Sequence, residues 1–242
     1  MIPERRKDWG EASPAMARPL GGVTNMTITG TRGGKPEARW IHAALTGITA
    51  RDHDTAPRMQ RPAWSLRRGV YGWEVFWWAA DDAEALGDRV HRVRIGNRDA
   101  CEITLSPARI VDAPSQYAPG AHSVTLHALA PVCGKSRERK SRRVVWHREP
   151  SADRIAGGLR SLAERLGVDT EPMHTHMNAT DYRVRRVVIG GNRLGHRHGW
   201  SGRVDLVVNA PARWMLECAS RGTGLGGSTA FGMGHVRVEP CR

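Results

Sequence analysis

Lysine is scarce in this chain, and cysteine appears in no metal-binding pattern. Of 37 basic residues only Lys7, Lys35, Lys135 and Lys140 are lysines, so 33 are arginines. Cys101, Cys133, Cys218 and Cys241 lie far apart and form no Cys-x-x-Cys pair. That spacing excludes a zinc ribbon and a disulfide framework, and it suits thiols in a reducing compartment. No stretch approaches the ~20 apolar residues a bilayer span requires. The opening MIPERRKDWGEASPAMARPL carries charge throughout and has no apolar centre, so a secretory leader is not expected. The expectation is a soluble, cytoplasmic protein with no membrane partner. Acidic residues are also few, 24 against 37 basic ones, for a net charge of +13.

That excess makes a polyanion the expected partner, because arginine offers phosphate a planar fork of donors and offers bases a stacking face. The 242 residues fit one large domain or two small ones at roughly 100–200 residues each. With 40% hydrophobic and 25% charged residues, wholesale disorder is excluded.

Residues 1–20 show no periodicity and read as an arm. Residues 21–112 and 123–242 read as two units joined by Asp112–His122, a proline-containing connector. In the first unit, Val23–Thr29 alternates and is rich in β-branched residues, which predicts a strand. Pro36 opens a helix reaching about Thr49, on which Trp40, Ala44 and Leu45 recur. Arg51–Arg61 predicts a loop, Ala63–Arg68 and Tyr71–Ala79 predict strands, and Asp81–Leu86 predicts a helix. Val90–Ile95 and Glu102–Val111 predict further strands.

In the second unit, Ser123–Ala130 predicts a strand ending at Pro131, and Lys135–Arg148 a basic excursion. Asp153–Leu166 places Ile155, Leu159, Leu162 and Leu166 on one face of an amphipathic helix. Tyr182–Ile189 and Arg203–Val208 predict strands, Ala210–Ser220 a helix opened by Pro211, and Phe231–Val238 the last strand. Each unit approximates β-α-β-β-α-β. The expected fold class is therefore α+β, with tandem ferredoxin-like (RRM-like) units and a C-terminal glycine-rich loop.

That loop reads Gly222-Thr-Gly-Leu-Gly-Gly-Ser-Thr-Ala-Phe-Gly-Met-Gly234. Gly222-x-Gly224-x-x-Gly227 has the spacing of a dinucleotide fingerprint, but that motif follows a strand and opens a helix. Here the order is helix, glycines, strand. A Walker A ending is also missing, so NAD and ATP are excluded and no cofactor is expected. Gly224-x-Gly226, five residues and Gly232-x-Gly234 resemble the glycine-rich signature of the RAMP superfamily of CRISPR proteins. Within it, the closest resemblance is to the endoribonucleases that process repeat RNA, or pre-crRNA. The resemblance extends upstream through Gly199-Trp-Ser-Gly-Arg-Val-Asp-Leu-Val-Val208 and Pro211–Arg221, and downstream through His235-Val-Arg-Val-Glu-Pro240.

The resemblance implies tandem ferredoxin-like folds that cut the repeat of a CRISPR transcript and often stay bound to the product. Other effector subunits would then join through the bound crRNA, and the arginine-rich composition suggests a type IV system. Gly224, Gly226, Gly227, Ser228, Thr229, Gly232 and Gly234 are the residues expected at the RNA, because successive glycines let backbone N–H groups approach a phosphate. A glycine turn that only lets a helix lie close on a sheet has the same sequence.

Cleavage without a metal needs a base for the ribose 2′-OH, an acid for the leaving 5′-oxygen and cations for the phosphorane. Relatives that cut often carry a histidine in or beside the first helix. Arg39-Trp-Ile-His42-Ala-Ala-Leu45 has that placement, so His42 is the first candidate and His53 the reserve. A packed helix histidine is the alternative for His42. Many relatives place a tyrosine or lysine nearby, whereas Tyr71, Tyr117 and Tyr182 are distant here. Arg39, with Arg32 and Lys35 around the first helix and Arg242 at the chain end, could supply charge stabilisation instead.

The densest basic run holds Lys135, Arg137, Arg139, Lys140, Arg142 and Arg143, followed by Trp146 and Arg148. It is expected to grip RNA phosphates, with Trp146 as a stacking candidate. Arg183 and Arg185, with Arg186, Arg193 and Arg197, form a second cluster in which Arg183 and Arg185 share a strand face. His174-Thr-His176 and His196-Arg-His198 lack the cysteine or carboxylate spacing of a zinc set, so no metal site is assigned. Two other classes remain open: a non-catalytic RAMP subunit that scaffolds crRNA, and a general RNA-binding protein with stacking aromatics on its central strands.

Overall fold

The structure is a computed structural model and describes residues 19–30, 38–49, 64–69, 72–94, 100–137, 144–168, 172–188 and 196–241. It is a mixed α+β protein with antiparallel sheets. The first sheet holds β1 (Pro19–Thr29), β2 (Trp64–Arg68), β3 (Trp73–Trp77), β4 (Arg89–Arg94), β5 (Ala100–Leu105) and β6 (Arg109–Asp112). Two helices, α1 (Ala38–Thr49) and α2 (Ala80–Leu86), belong with it. Its strand order is β2-β3-β1-β5-β4, with β6 also pairing with β1.

The second sheet holds β7 (Ala121–Val132), β10 (Thr175–Val188), β11 (His196–Asn209) and β12 (Val236–Pro240) in the order β10-β11-β7-β12. A separate hairpin, β8 (Gly134–Arg137) with β9 (Val144–His147), projects after β7. The helices of this half are α3 (Ala152–Leu166) and α4 (Ala210–Cys218). In both sheets the first strand lies between the third and a later one, an arrangement consistent with the tandem ferredoxin-like units expected.

Several predicted elements shift for identifiable reasons. The predicted strand Glu102–Val111 divides at Pro107, which has no N–H to give a ladder. β5 then pairs with Met26–Thr29 of β1, and β6 pairs farther along with Pro19–Val23. β7 does not stop at Pro131 but runs on to Val132. Its register against β11 slips between Trp200 and Gly202, so the proline falls in an irregular stretch. The amides of Leu129 and Ala130 both turn to the His235 carbonyl, at 2.9 and 3.1 Å. The last strand begins at Val236 rather than Phe231, because a 3₁₀ turn (Thr229–Phe231) and left-handed Gly232 and Gly234 precede it. The basic excursion is the β8–β9 hairpin.

α3 is held at both ends, with the Ser151 hydroxyl accepting from the Arg154 amide at 3.4 Å and left-handed Gly167 closing the helix. It buries Ile155, Leu159 and Leu162. The core around α3 and α4 also takes Leu20, Val23, Phe76 and Val111 from the first unit. In return, Ala230 of the glycine loop is buried in the first unit's core. Each half therefore completes the other's apolar interior. Among the described residues, no helix is long and apolar enough to cross a membrane.

Candidate nucleic-acid interface

The glycine-rich segment leaves α4 through a π turn (Ala219–Thr223) and enters β12 after the 3₁₀ turn. Its first task is to join the two halves. A Cβ on Gly222, at φ 153°, would stand 2.3 Å from Cδ2 of Phe76, so only glycine lets the backbone lie on that ring. The neighbouring Thr223 carbonyl accepts from Ser65 Oγ on β2 at 2.9 Å. The 3₁₀ turn then abuts β2 and α1.

Six amides of the segment are committed inside the protein. Gly224 donates to Ala219, Leu225 to Gly234, Gly227 to Cys133, Gly232 to Thr229, Met233 to Ser228 and Gly234 to Pro131. The expectation that successive glycines present a row of N–H groups to phosphate therefore does not hold for these six. Close approach of chain to chain accounts for the glycines here.

The loop faces a cleft of about 790 Å³ whose other walls are the root of the β8–β9 hairpin and α3. Gly224, Gly226, Gly227, Ser228 and Thr229 line one side, and Gly134 and His147 another. Trp78, Trp200 and Leu225 contribute apolar surface, while Asp153, Arg154, Glu164 and Arg165 come from α3. This volume falls in the range of small-ligand and nucleotide sites. Burial, with Arg154 nearby, holds the His147 imidazole below its ordinary pKa.

Beside the glycine loop, the guanidinium of Arg197 on β11 lies 4.7 Å from the centroid of the Trp146 ring. The same guanidinium donates to Ser228 Oγ in the glycine loop. Trp146 is half-buried, and Arg197 occupies one of its faces, which reduces its use as a stacking platform. Burial lowers the pKa of Arg197, and the adjoining Cys133 thiol is pushed up to about 11 by its own burial.

His42 is half-buried on α1, with its ring 5.5 Å from that of buried Trp64. The helix that carries it touches the 3₁₀ turn of the glycine loop. Arg183 and Arg185 are exposed on β10 and do not line the cleft; Arg185 Nε reaches Ser201 Oγ at 3.4 Å. Arg148 is exposed just past β9. Arg32, Lys35, His53, Arg139, Lys140, Arg142, Arg143 and Arg242 lie outside the described residues, as do the side chains of Arg39, Lys135 and Arg137.

The histidine pairs do not gather. His176 lies opposite Val207 and His198 opposite Arg186, toward opposite ends of the β10–β11 ribbon. The central strands of the second sheet carry charge pairs rather than aromatics on one face. Ser123, Thr125 and His127 stand in register with Val207, Asp205 and Arg203. Arg203 holds the Asp205 carboxylate through two hydrogen bonds of 3.0 and 2.9 Å, and Thr125 adds one of 2.7 Å. Those bonds keep Asp205 below its usual pKa. An RRM-type platform would place stacking rings on this face of the second sheet.

Three features went unanticipated: the Arg197–Ser228 contact, the Arg165–Trp78 stack, and His235 beside Arg67 and Glu74. Each joins residues far apart in the chain. Only the lone serine among glycines at position 228 left a local trace.

The fold is that of Cas6 and RAMP proteins. The chain is similar to a Cas6 product complex at 18% identity and a TM-score of 0.57, covering 92% of this chain and all of that one. It is similar to a Cas6 substrate mimic complex at 16% identity and a TM-score of 0.57, covering 90% and 98%. It also resembles a RAMP protein binding different RNA substrates, at 11% identity and a TM-score of 0.55, covering 90% and 98%. No protein-family model and no curated protein matches the chain.

Proposed function

We propose that this protein binds the repeat stem-loop of a CRISPR transcript and cuts it to give mature crRNA. The observation that carries this reading is the glycine-rich segment, which lies at the cleft and seats its 3₁₀ turn against the helix bearing His42. The fold shared with Cas6 product and substrate mimic complexes supports it.

In this reading His42 exchanges a proton with the reacting oxygens. The ribose 2′-OH loses its proton as the 2′-oxygen attacks phosphorus. The P–O5′ bond then breaks, and the 5′-oxygen leaves with a proton. The products are a 2′,3′-cyclic phosphate (or its opened form) and a 5′-hydroxyl. Arg39 on the first helix, with Arg32 and Lys35 preceding it in sequence, or Arg242, stabilises the phosphorane; cationic donors suit that charge and arginine is a poor base. The hairpin arginines and Arg148 hold stem phosphates, and the cut needs no metal. The product stays bound, and further effector subunits of a type IV system assemble on it.

The test is end-labelled repeat RNA incubated with the protein in EDTA, beside a 2′-deoxy control at the cut site. One discrete cut that the 2′-deoxy substitution abolishes is the expected result. Binding without a cut would leave the second reading, a crRNA-binding scaffold. The seating of His42 against Trp64 favours that reading.

A further inference from the structure

Among the described residues, two residues other than glycine take a positive φ: Asp88 at 54° and Ser228 at 69°. Asp88 lies in the tight step between α2 and β4. Ser228 lies between Gly227 and Thr229 on the cleft wall, in a loop that uses glycine at its other left-handed positions. A side chain in this conformation is strained, and strain persists where surrounding contacts over-determine it.

The contacts are on hand. Gly227 is tied to the β7–β8 junction by its amide, 2.8 Å from the Cys133 carbonyl. Ser228 Oγ accepts from Arg197 Nη1, and the Arg197 guanidinium itself lies over the Trp146 ring of the hairpin. Three elements, β9, β11 and the glycine loop, thus meet through one guanidinium. The Met233 amide, 3.4 Å from the Ser228 carbonyl, carries the same constraint to the far side of the loop.

The geometry points to Arg197 as a positioning residue: it holds Ser228 in the left-handed conformation and so sets the shape that the cleft wall presents to RNA. This rests on the RNA-binding reading above but assigns Arg197 a task that simple phosphate pairing would not require. The Ser228 hydroxyl serves Arg197 rather than the RNA. Arg197 should therefore become dispensable when position 228 no longer needs to be held. Glycine, at ease at this φ, provides that condition.

The test uses the full chain in four forms: wild type, Arg197→Ala, Arg197→Lys and the double variant Arg197→Ala with Ser228→Gly. Amide hydrogen exchange of residues 224–234 is followed without RNA, and affinity for a repeat stem-loop is measured in EDTA. Arg197→Ala should speed exchange in the loop and weaken binding about tenfold. Arg197→Lys, which keeps the charge without the flat fork, should do nearly the same. The double variant should return both readouts toward wild type.

Unchanged loop exchange in Arg197→Ala overturns the proposal. A double variant that stays as weak as Arg197→Ala overturns it too, and makes Arg197 a direct RNA contact. Wild type that binds no repeat RNA would instead sink the RNA reading, while the exchange data would still decide whether Arg197 holds the loop.

Discussion

The guanidinium of Arg165 on α3 lies 3.7 Å from the ring centroid of Trp78, a residue from the other half of the molecule. Trp78 in turn meets Phe76 edge-on, with centroids 6.0 Å apart, and Phe76 is part of the core around α3 and α4. Burial draws the pKa of Arg165 down to about 10, so it remains a cation at neutral pH. A half-buried charge is tolerated where an aromatic face compensates it.

Arg165→Ala should therefore loosen the junction and not only α3. Loss of a desolvated cation–π contact, with the aliphatic stem that goes with it, is expected to lower stability by about 2 kcal/mol. Urea titration would show this as a lower midpoint. Because the two cores share side chains, the transition should stay single in the wild type. A second transition in the variant would mean that Arg165 holds the halves together cooperatively, and an unchanged midpoint would show the stack to be incidental.

The glycine loop allows backbone strain to be separated from steric exclusion. Gly167 and Gly234 have nearly equal φ values, +65° and +72°, but very different surroundings. A Cβ at 167 meets nothing within 4 Å, whereas a Cβ at 234 would fall 2.1 Å from the Leu225 carbonyl oxygen. Gly167→Ala should cost about 1 kcal/mol from conformation alone. Gly234→Ala should cost at least about 3 kcal/mol, since it also displaces the loop. Thermal denaturation of the two variants side by side gives the comparison. Equal losses would show that the loop backbone yields freely, against the close contacts described.

Much of this architecture is legible from residue patterns, and the exceptions share a cause. The run Ile155, Leu159, Leu162 announces α3 because its apolar face repeats at helical spacing, and Pro211 marks the start of α4 as a proline in the first turn, to which the structure adds Asn209 as the cap. The glycine-rich segment stands out because few other structures need so many positive φ angles. What local pattern does not carry is contact at long range. Trp78 with Arg165, and Trp146 with Arg197 and Ser228, pair only after both sheets exist. The prolines misled in opposite directions: Pro131 sits in a bulge inside β7, while Pro107 breaks a run that looked continuous.

Acidification should weaken the junction through His235. Its ring is half-buried, and burial and the neighbouring Arg67 both lower its pKa, with Glu74 acting weakly the other way. Arg67 Nε also donates to Glu74. A histidine whose folded pKa lies below its unfolded value of about 6.5 favours folding while neutral. That contribution is present in full above about pH 6.5 and is lost as pH falls toward the folded value. His147, also lowered, acts in the same direction. Urea midpoints between pH 7.5 and 5 should fall, and His235→Gln should flatten part of that slope. A midpoint that rises on acidification would contradict the assignment.

His42 divides the enzyme from the scaffold, and its surroundings set what its removal should do. The ring is set against buried Trp64 rather than free in solvent, so His42→Ala opens space beside an indole that also meets Trp77 at 6.3 Å. Some stability should therefore be lost, on the order of 1 kcal/mol, whatever the function. His42→Gln keeps most of the volume and the polar reach but has no proton to exchange near neutral pH. If His42 is the acid or base, both variants should lower single-turnover cleavage by at least about a hundredfold, with repeat-RNA affinity kept within a few-fold. Binding itself should fall steeply with salt, because each neutralised phosphate releases counterions. Cleavage that survives in His42→Gln at near wild-type rate would move the chemistry to the arginines around α1, and loss of affinity in both variants would make His42 part of the binding surface.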